Sequence, residues 1–232
     1  MKGLILNSPN NPSGAVLTRR ELPAIAEVVR AHDLWVISDE IYHRVTYGAE
    51  PVSIAALPGM QERTVVVNGV SKTYAMTGWR IGFAAGPRDV IQAMVRFQSH
   101  ATSSPTAMAQ AAAAAALVGA QDSVESMRQA FMRRRDLLVQ GLRQIPGLVV
   151  PKPAGTFFVF CDAQGLESRN LDGLALSDGA QLAMALLRRA NVIVVPGAGF
   201  GMEHAIRLSF AVSDERIQTG VARMQELLGR SL

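Results

Sequence analysis

Short apolar runs alternate with amphipathic stretches along the first half of the chain. Leu4–Leu6 reads as a buried strand, and it stops at Asn7-Ser8-Pro9-Asn10-Asn11-Pro12-Ser13-Gly14, whose prolines and glycine require a turn-rich loop. Thr18-Arg19-Arg20-Glu21 has the form of a capping box, and the helix behind it repeats apolar residues at Leu22, Ile25, Ala26 and Val29. Further strands are predicted over Leu34–Ile37, Thr64–Val67 and Ile81–Ala85, with helices over Asp89–Gln98 and Thr106–Leu117. Strands alternating with helices in this way predict an α/β layer with a mostly parallel sheet.

The pattern changes in the second half. Ser123–Gln144 is one long helical repeat, ended by Pro146-Gly147. Short strands follow at Leu148–Val150 and Thr156–Phe160, then a polar loop across Ala163–Asp178 and a helix at Gly179–Arg189. Strands at Val192–Val195 and Ile206–Phe210 precede a last helix over Asp214–Leu228, with Ile217, Val221, Met224 and Leu228 on one face. This mixture predicts a smaller α+β domain, and the division expected is 1–125 and 126–232.

Composition narrows the function classes. The chain has 232 residues, 49% hydrophobic and 18% charged, which is a folded globular composition with enough length for a real core. One cysteine, Cys161, excludes an internal disulfide framework and points to a reducing compartment, the cytoplasm. A net charge of +4 is a small excess. The basic run Arg133-Arg134-Arg135 reads as a solvated helix face, so no nucleic-acid partner is expected. No run is long and apolar enough for a membrane helix, so no membrane partner is expected either. His43, His100 and His204 lack metal-ligand spacing. Glycines of a phosphate-binding P-loop are missing where Ser71 and Val66 stand. Gly197-Ala198-Gly199-Phe200-Gly201 reads as a loop near the substrate opening, and Phe157 and Phe158 read as core.

In open α/β sheets ligands collect beyond the carboxyl ends of the strands. The polar residues at those positions are Asn11, Asp39, Tyr42, Ser71 and Lys72, with Arg80 opening the next strand. Each alone is an ordinary loop or surface residue; together they have a chemical logic. A deprotonated lysine can condense with an aldehyde, and an aspartate can hold a pyridine nitrogen protonated. Hydroxyl and guanidinium groups such as Ser71 and Arg80 suit a phosphate.

Three blocks carry a resemblance: Asn10-Asn11-Pro12-Ser13-Gly14, Ser38-Asp39-Glu40-Ile41-Tyr42, and Ser71-Lys72-Thr73-Tyr74-Ala75-Met76-Thr77-Gly78-Trp79-Arg80-Ile81-Gly82. With Arg207-Leu208-Ser209-Phe210-Ala211 near the end, they resemble the class I/II aminotransferases, pyridoxal 5'-phosphate enzymes of the aspartate aminotransferase type and fold type I. The resemblance implies a three-layer α/β large domain with a mostly parallel sheet and a smaller C-terminal α+β domain. It implies that Lys72 is catalytic and carries the cofactor. Asp39 would pair with the ring nitrogen, Tyr42 and Asn11 would bond the ring oxygen, and Ser71 and Arg80 would bind the phosphate. Arg207, with Asn11, would hold the substrate α-carboxylate. The implied reaction is a ping-pong amino transfer between an L-amino acid and a 2-oxo acid, in a homodimer when full length.

The family's long N-terminal portion has no counterpart before the Asn-Pro loop. The chain is therefore expected to be the C-terminal part of such an enzyme, with a truncated sheet and with Met1 internal to a longer protein. In the stretch Ser99–Pro105 no arginine stands where some aspartate-specific members have one, and Ser104 takes the place of an Asn. Aspartate, aromatic and aliphatic substrates stay open, with the aspartate type preferred. A β-lyase or decarboxylase of the same fold type, or an inactive fragment, are the alternatives.

Overall fold

The structure is a computed structural model that describes residues 2–167, 170–171 and 174–229. Met1 and part of the Ala163–Asp178 loop lie outside the described residues. The chain divides into two compact units. One comprises the residues up to Asn10 together with Ala15–Arg128; the other comprises Asn11–Gly14 and the residues from Gln129 onward.

The first unit is an α/β layer. Its strands are β1 (Gly3–Asn7), β2 (Trp35–Asp39), β3 (Thr64–Gly69) and β4 (Gly82–Ala85), in that order across the sheet. β1, β2 and β3 run parallel, with Asn7 beside Asp39 and Asp39 beside Val67; β4 pairs antiparallel to β3. The parallel register brings the carboxyl ends of β1, β2 and β3 to one edge. Gly69 lets β4 approach there, since a Cβ would lie 2.8 Å from the Ile81 carbonyl oxygen.

Helix α1 (Leu22–Ala31) buries Leu22, Ala26 and Val29 against Leu34, Val36, Ile54 and Met60. The box before it forms differently from the expected pattern. Glu21 accepts from the Thr18 amide at 2.8 Å, but the Thr18 hydroxyl donates to the same carboxylate instead of capping the helix. Helices α2 (Arg88–Ala101) and α3 (Ala107–Val118) follow. α3 is capped by Thr106, whose hydroxyl accepts from the Ala109 amide, and its alanines let Ala109 and Ala113 pack against Val70 and Ile81. Among the described residues the opposite sheet face leaves Ile5, Trp35 and Ile37 exposed, Ile5 by 70%.

The second unit begins within α4 (Asp122–Leu142). It holds an antiparallel sheet of β5 (Phe158–Asp162), β9 (Ala205–Ser209) and β8 (Val195–Pro196) in that order. A short hairpin, β6 (Asn170–Leu171) and β7 (Leu174–Ala175), interrupts the loop read as polar coil. Helix α6 (Asp214–Leu228) has the predicted bounds and buries the predicted face, and Ser213 caps it. It crosses α4 at Gly141, where a Cβ would collide with Val221, and Gln225 donates to the Gly141 carbonyl.

Several expectations are corrected in this unit. Leu148–Val150 makes a single bridge, Val149 to Asp162, because the neighbouring Pro151 has no amide to extend a ladder. β5 starts at Phe158, since Thr156 adopts a left-handed φ of 62° and its hydroxyl accepts from the Phe158 amide. Val192 does not begin a strand: its amide returns to Leu186, closing the π-helical turn that ends α5 (Gly179–Ala185). Asn11–Gly14 groups with this unit.

The arginine run is not simply solvated. Arg135 is 5% exposed and donates to Asp136 and the Pro153 carbonyl, while Arg133 and Arg134 both bond Asp214 at the start of α6. The hydrogen bond from Arg133, then that from Arg134, holds the Asp214 carboxyl at about 2, below its ordinary 3.8. A depressed carboxylate stabilises the fold above its unfolded pKa, and that contribution fades as pH falls from about 4 toward 2. Carboxyl NMR titration should therefore find the Asp214 midpoint near 2; a midpoint at the ordinary value would contradict the paired geometry.

Candidate functional site

The carboxyl edge of β1–β3 carries the first cluster of expected site residues. Asn7 donates to the Asp39 carbonyl at 3.3 Å, and the Ser8 amide donates to the same oxygen at 3.2 Å. Asp39 ends β2 half-buried, and its Oδ1 accepts from the Ile41 amide at 3.2 Å. That Asx turn continues into bonds from His43 to Glu40 and from Val45 to Tyr42. Tyr42 is thereby buried directly behind the strand end. Below it, Glu40 is buried and accepts from the Ser38 hydroxyl at 2.9 Å.

After β3 the chain turns through Val70–Ser71–Lys72. The Lys72 ammonium lies 5.9 Å from the centroid of the Tyr42 ring, so these two expected residues are brought together. Ser71 and Arg80 are linked through a residue the sequence reading did not assign. The Thr77 hydroxyl donates to the Ser71 carbonyl at 3.0 Å, and the Thr77 carbonyl accepts from Arg80 Nη1 at 2.9 Å. Arg80 itself is exposed and holds a left-handed φ of 54°. The first unit thus presents one amine, one carboxylate, a phenol and a hydroxyl–guanidinium pair.

The remaining expected residues, Asn11 and Arg207, meet in the second unit. Arg207 Nη1 donates to Asn11 Oδ1 at 2.6 Å, joining residues far apart in sequence. The loop that carries Asn11 is held by its own carbonyl: Gly14 O accepts from the Ala154 and Gly155 amides at 3.0 and 2.9 Å. Gly14 is buried with φ +69°, and a Cβ there would clash with Pro153 and lie 2.8 Å from the Gly155 carbonyl. Only glycine tolerates both conditions. Pro153 in turn is held by Arg135 Nη1 at 3.1 Å.

Two rings with no role assigned from the sequence stand against Arg207, one of them, Phe200, on the glycine loop expected near the substrate opening. The Arg207 guanidinium carbon lies 4.3 Å from the Phe158 ring centroid and 5.0 Å from that of Phe200. Phe158 is buried on β5, as its apolar strand predicts, and meets Arg207 from there. The available signal was the aromatic Phe200 inside a glycine turn, where no core requires it. Cys161, buried on β5, is set aside as a nucleophile, since burial pushes its thiol up to about 12.

Parallel strands ending in polar turns form the first unit, and an antiparallel sheet that carries the Arg207–Asn11 pair forms the second. The aminotransferase class I and II family model matches residues 1–224, and the chain belongs to that family. It is 47% identical over 229 residues to an aspartate aminotransferase of Geobacillus stearothermophilus, covering 98% of this chain and 57% of the relative. The crystal structure of the Rhizobium meliloti aspartate aminotransferase superposes with a TM-score of 0.95 at 40% identity, over 99% of this chain and 58% of that one. The Thermus thermophilus aspartate aminotransferase with maleate superposes at 0.90 with 40% identity, covering 98% and 57%. The chain therefore spans about 57% of the length of the curated relatives it matches. These likenesses confirm the fold class expected from the three sequence blocks.

Gly14→Ala should destabilise the chain by about 1–3 kcal/mol, the cost of a strained left-handed residue plus steric overlap. Urea unfolding measures this. An unchanged midpoint would mean that the loop is not seated as described.

Proposed function

We propose that the chain carries the amino-transfer machinery of a pyridoxal-phosphate enzyme acting between an L-amino acid, aspartate in the first instance, and a 2-oxo acid. The observation that supports this most is the carboxyl edge of β1–β3, where Asp39, Tyr42 and Lys72 stand on consecutive strand ends. The donor set fits the cofactor in kind: an amine for its aldehyde, a carboxylate for its ring nitrogen, and Ser71 with Arg80 for its phosphate. Bound pyridoxal phosphate supplies an electron sink for the substrate's Cα electrons.

The chain's own residues do the rest. Lys72 Nζ is the attachment point and moves the proton at the substrate Cα. Asp39 keeps the ring nitrogen protonated by pairing with the charged form. Tyr42 would bond the ring oxygen. Arg207 binds the α-carboxylate through its planar fork, a job for which lysine is no substitute. Transamination is preferred over a lyase or decarboxylase reaction because the compared relatives are aspartate aminotransferases.

We place the enzyme in the cytoplasm, as a homodimer when the whole protein is present. The supporting features are a buried free cysteine and apolar side chains left exposed on α2 and α3, Phe97 by 78% and Met108 by 77%. No helix among the described residues is long and apolar enough to cross a membrane.

Incubation with pyridoxal 5'-phosphate, borohydride reduction and peptide mass spectrometry should place the pyridoxyl group on Lys72, and Lys72→Ala should lose it. Nitrogen-15 aspartate with 2-oxoglutarate should yield labelled glutamate. Labelled ammonia, or carbon dioxide release without amino transfer, would sink the transaminase reading.

A further inference from the structure

The turn Gly197–Phe200 and the Gly201 after it have no part in the scheme above, yet their geometry is tightly specified. Gly197 packs so closely on Ala205 that a Cβ would lie 2.7 Å from both its Cβ and its carbonyl oxygen. Gly201 closes the turn in a left-handed conformation, φ +78°, and its amide returns to Ala198. Bonds from Met202 to Gly197 and from Ala205 to Met202 tie the turn to the start of β9. The one large side chain it carries is Phe200. That ring is 37% exposed, so apolar burial does not account for it.

Its contacts do. Phe200 packs edge-on against Phe160, centroids 5.9 Å apart, and its ring lies 5.0 Å from the Arg207 guanidinium carbon. Phe158, two residues before Phe160 on β5, places its ring 4.3 Å from the same carbon. Phe160 is the register partner of Arg207, so β5 sets both rings by strand pairing. Rings engage a guanidinium through its π face, which leaves the N–H edge to acceptors. Asn11 Oδ1 takes one position on that edge.

We propose that Phe158 and Phe200 are positioning residues that make Arg207 selective for planar carboxylates over tetrahedral oxyanions of the same charge. The proposal rests on the reading of Arg207 as the α-carboxylate binder. With rings against the cation and Asn11 bonded to Nη1, the fork is offered edge-on. A carboxylate lies in the guanidinium plane and accepts two parallel hydrogen bonds. A phosphonate monoester carries a substituent out of that plane, and it meets the rings. The glycine turn exists to deliver Phe200 to this position.

The test uses the 232-residue chain and the Nε–Hε resonance of Arg207 in a nitrogen-15 NMR spectrum, assigned by its loss in Arg207→Lys. The probes are pyruvate and methyl acetylphosphonate, a planar and a tetrahedral monoanion of related shape. Ring currents should place the Arg207 resonance upfield of the other arginines, and Phe200→Leu should move it back. Pyruvate should shift it, and methyl acetylphosphonate should bind more weakly. Phe200→Leu should weaken pyruvate about twofold to thirtyfold, the range that one cation–π contact spans, and narrow the selectivity. Phe200→Tyr, which keeps the ring, should restore both, and the selectivity ratio is the readout that a merely structural role would not move. If pyruvate leaves the resonance unmoved, the carboxylate reading of Arg207 falls and this inference falls with it. If pyruvate binds but both probes bind equally, or Phe200→Leu keeps the full selectivity, the rings do not set specificity and only this inference is overturned.

Discussion

One carbonyl oxygen governs the placement of Asn11 on Arg207. Gly14 accepts two amide hydrogen bonds, from Ala154 and Gly155, and so pins a loop that would otherwise be held at its base by the Asn10–Ala15 bond. Everything at the fork follows from that seat. Asn11 reaches Arg207 because the loop is fixed, and the segment that fixes it is braced by the buried Arg135 through Pro153. A buried charge is costly unless its donors are used, and Arg135 uses them on Asp136 and on this carbonyl. The arrangement converts a long-range sequence separation into a short, charge-assisted hydrogen bond.

The other half of the chemistry depends on strand direction. Three parallel strands deliver their carboxyl ends to one edge, so Asp39 and Lys72 need no special device to gather there. Local turns refine the positions. An Asx turn from Asp39 points the chain back to bury Tyr42, and Thr77 ties Ser71 to Arg80 by accepting from one and donating to the other. The Ser71 bond uses the Thr77 hydroxyl and the Arg80 bond its backbone carbonyl, so only the first depends on the side chain.

Much of this was legible in the sequence, for reasons that differ by element. Helices with a clean apolar stripe, such as α6, were readable to their ends because Ser213 caps one side and Gly229 follows the other. The strand-end residues were readable because parallel topology puts polar turns at one edge whatever the side chains do in detail. Errors fell where a single backbone atom decides. Thr156 spends its hydroxyl on the Phe158 amide and shortens β5, and Val192 gives its amide to a helix instead of a strand. Arg133–Arg135 looked like a solvated face because Asp214 and Pro153 are distant in sequence. The rings against Arg207 were hidden for the same reason: cross-strand register and a glycine turn, both tertiary, bring them together.

The seat of the Asn11–Gly14 loop is open to direct measurement. Amide hydrogen exchange at Ala154 and Gly155 reads it without any ligand. Both amides donate to Gly14 and are predicted to exchange far more slowly than an open loop. Exchange at the rate of unstructured peptide would show that Gly14 does not hold this segment, and the placement of Asn11 on Arg207 would lose its physical basis.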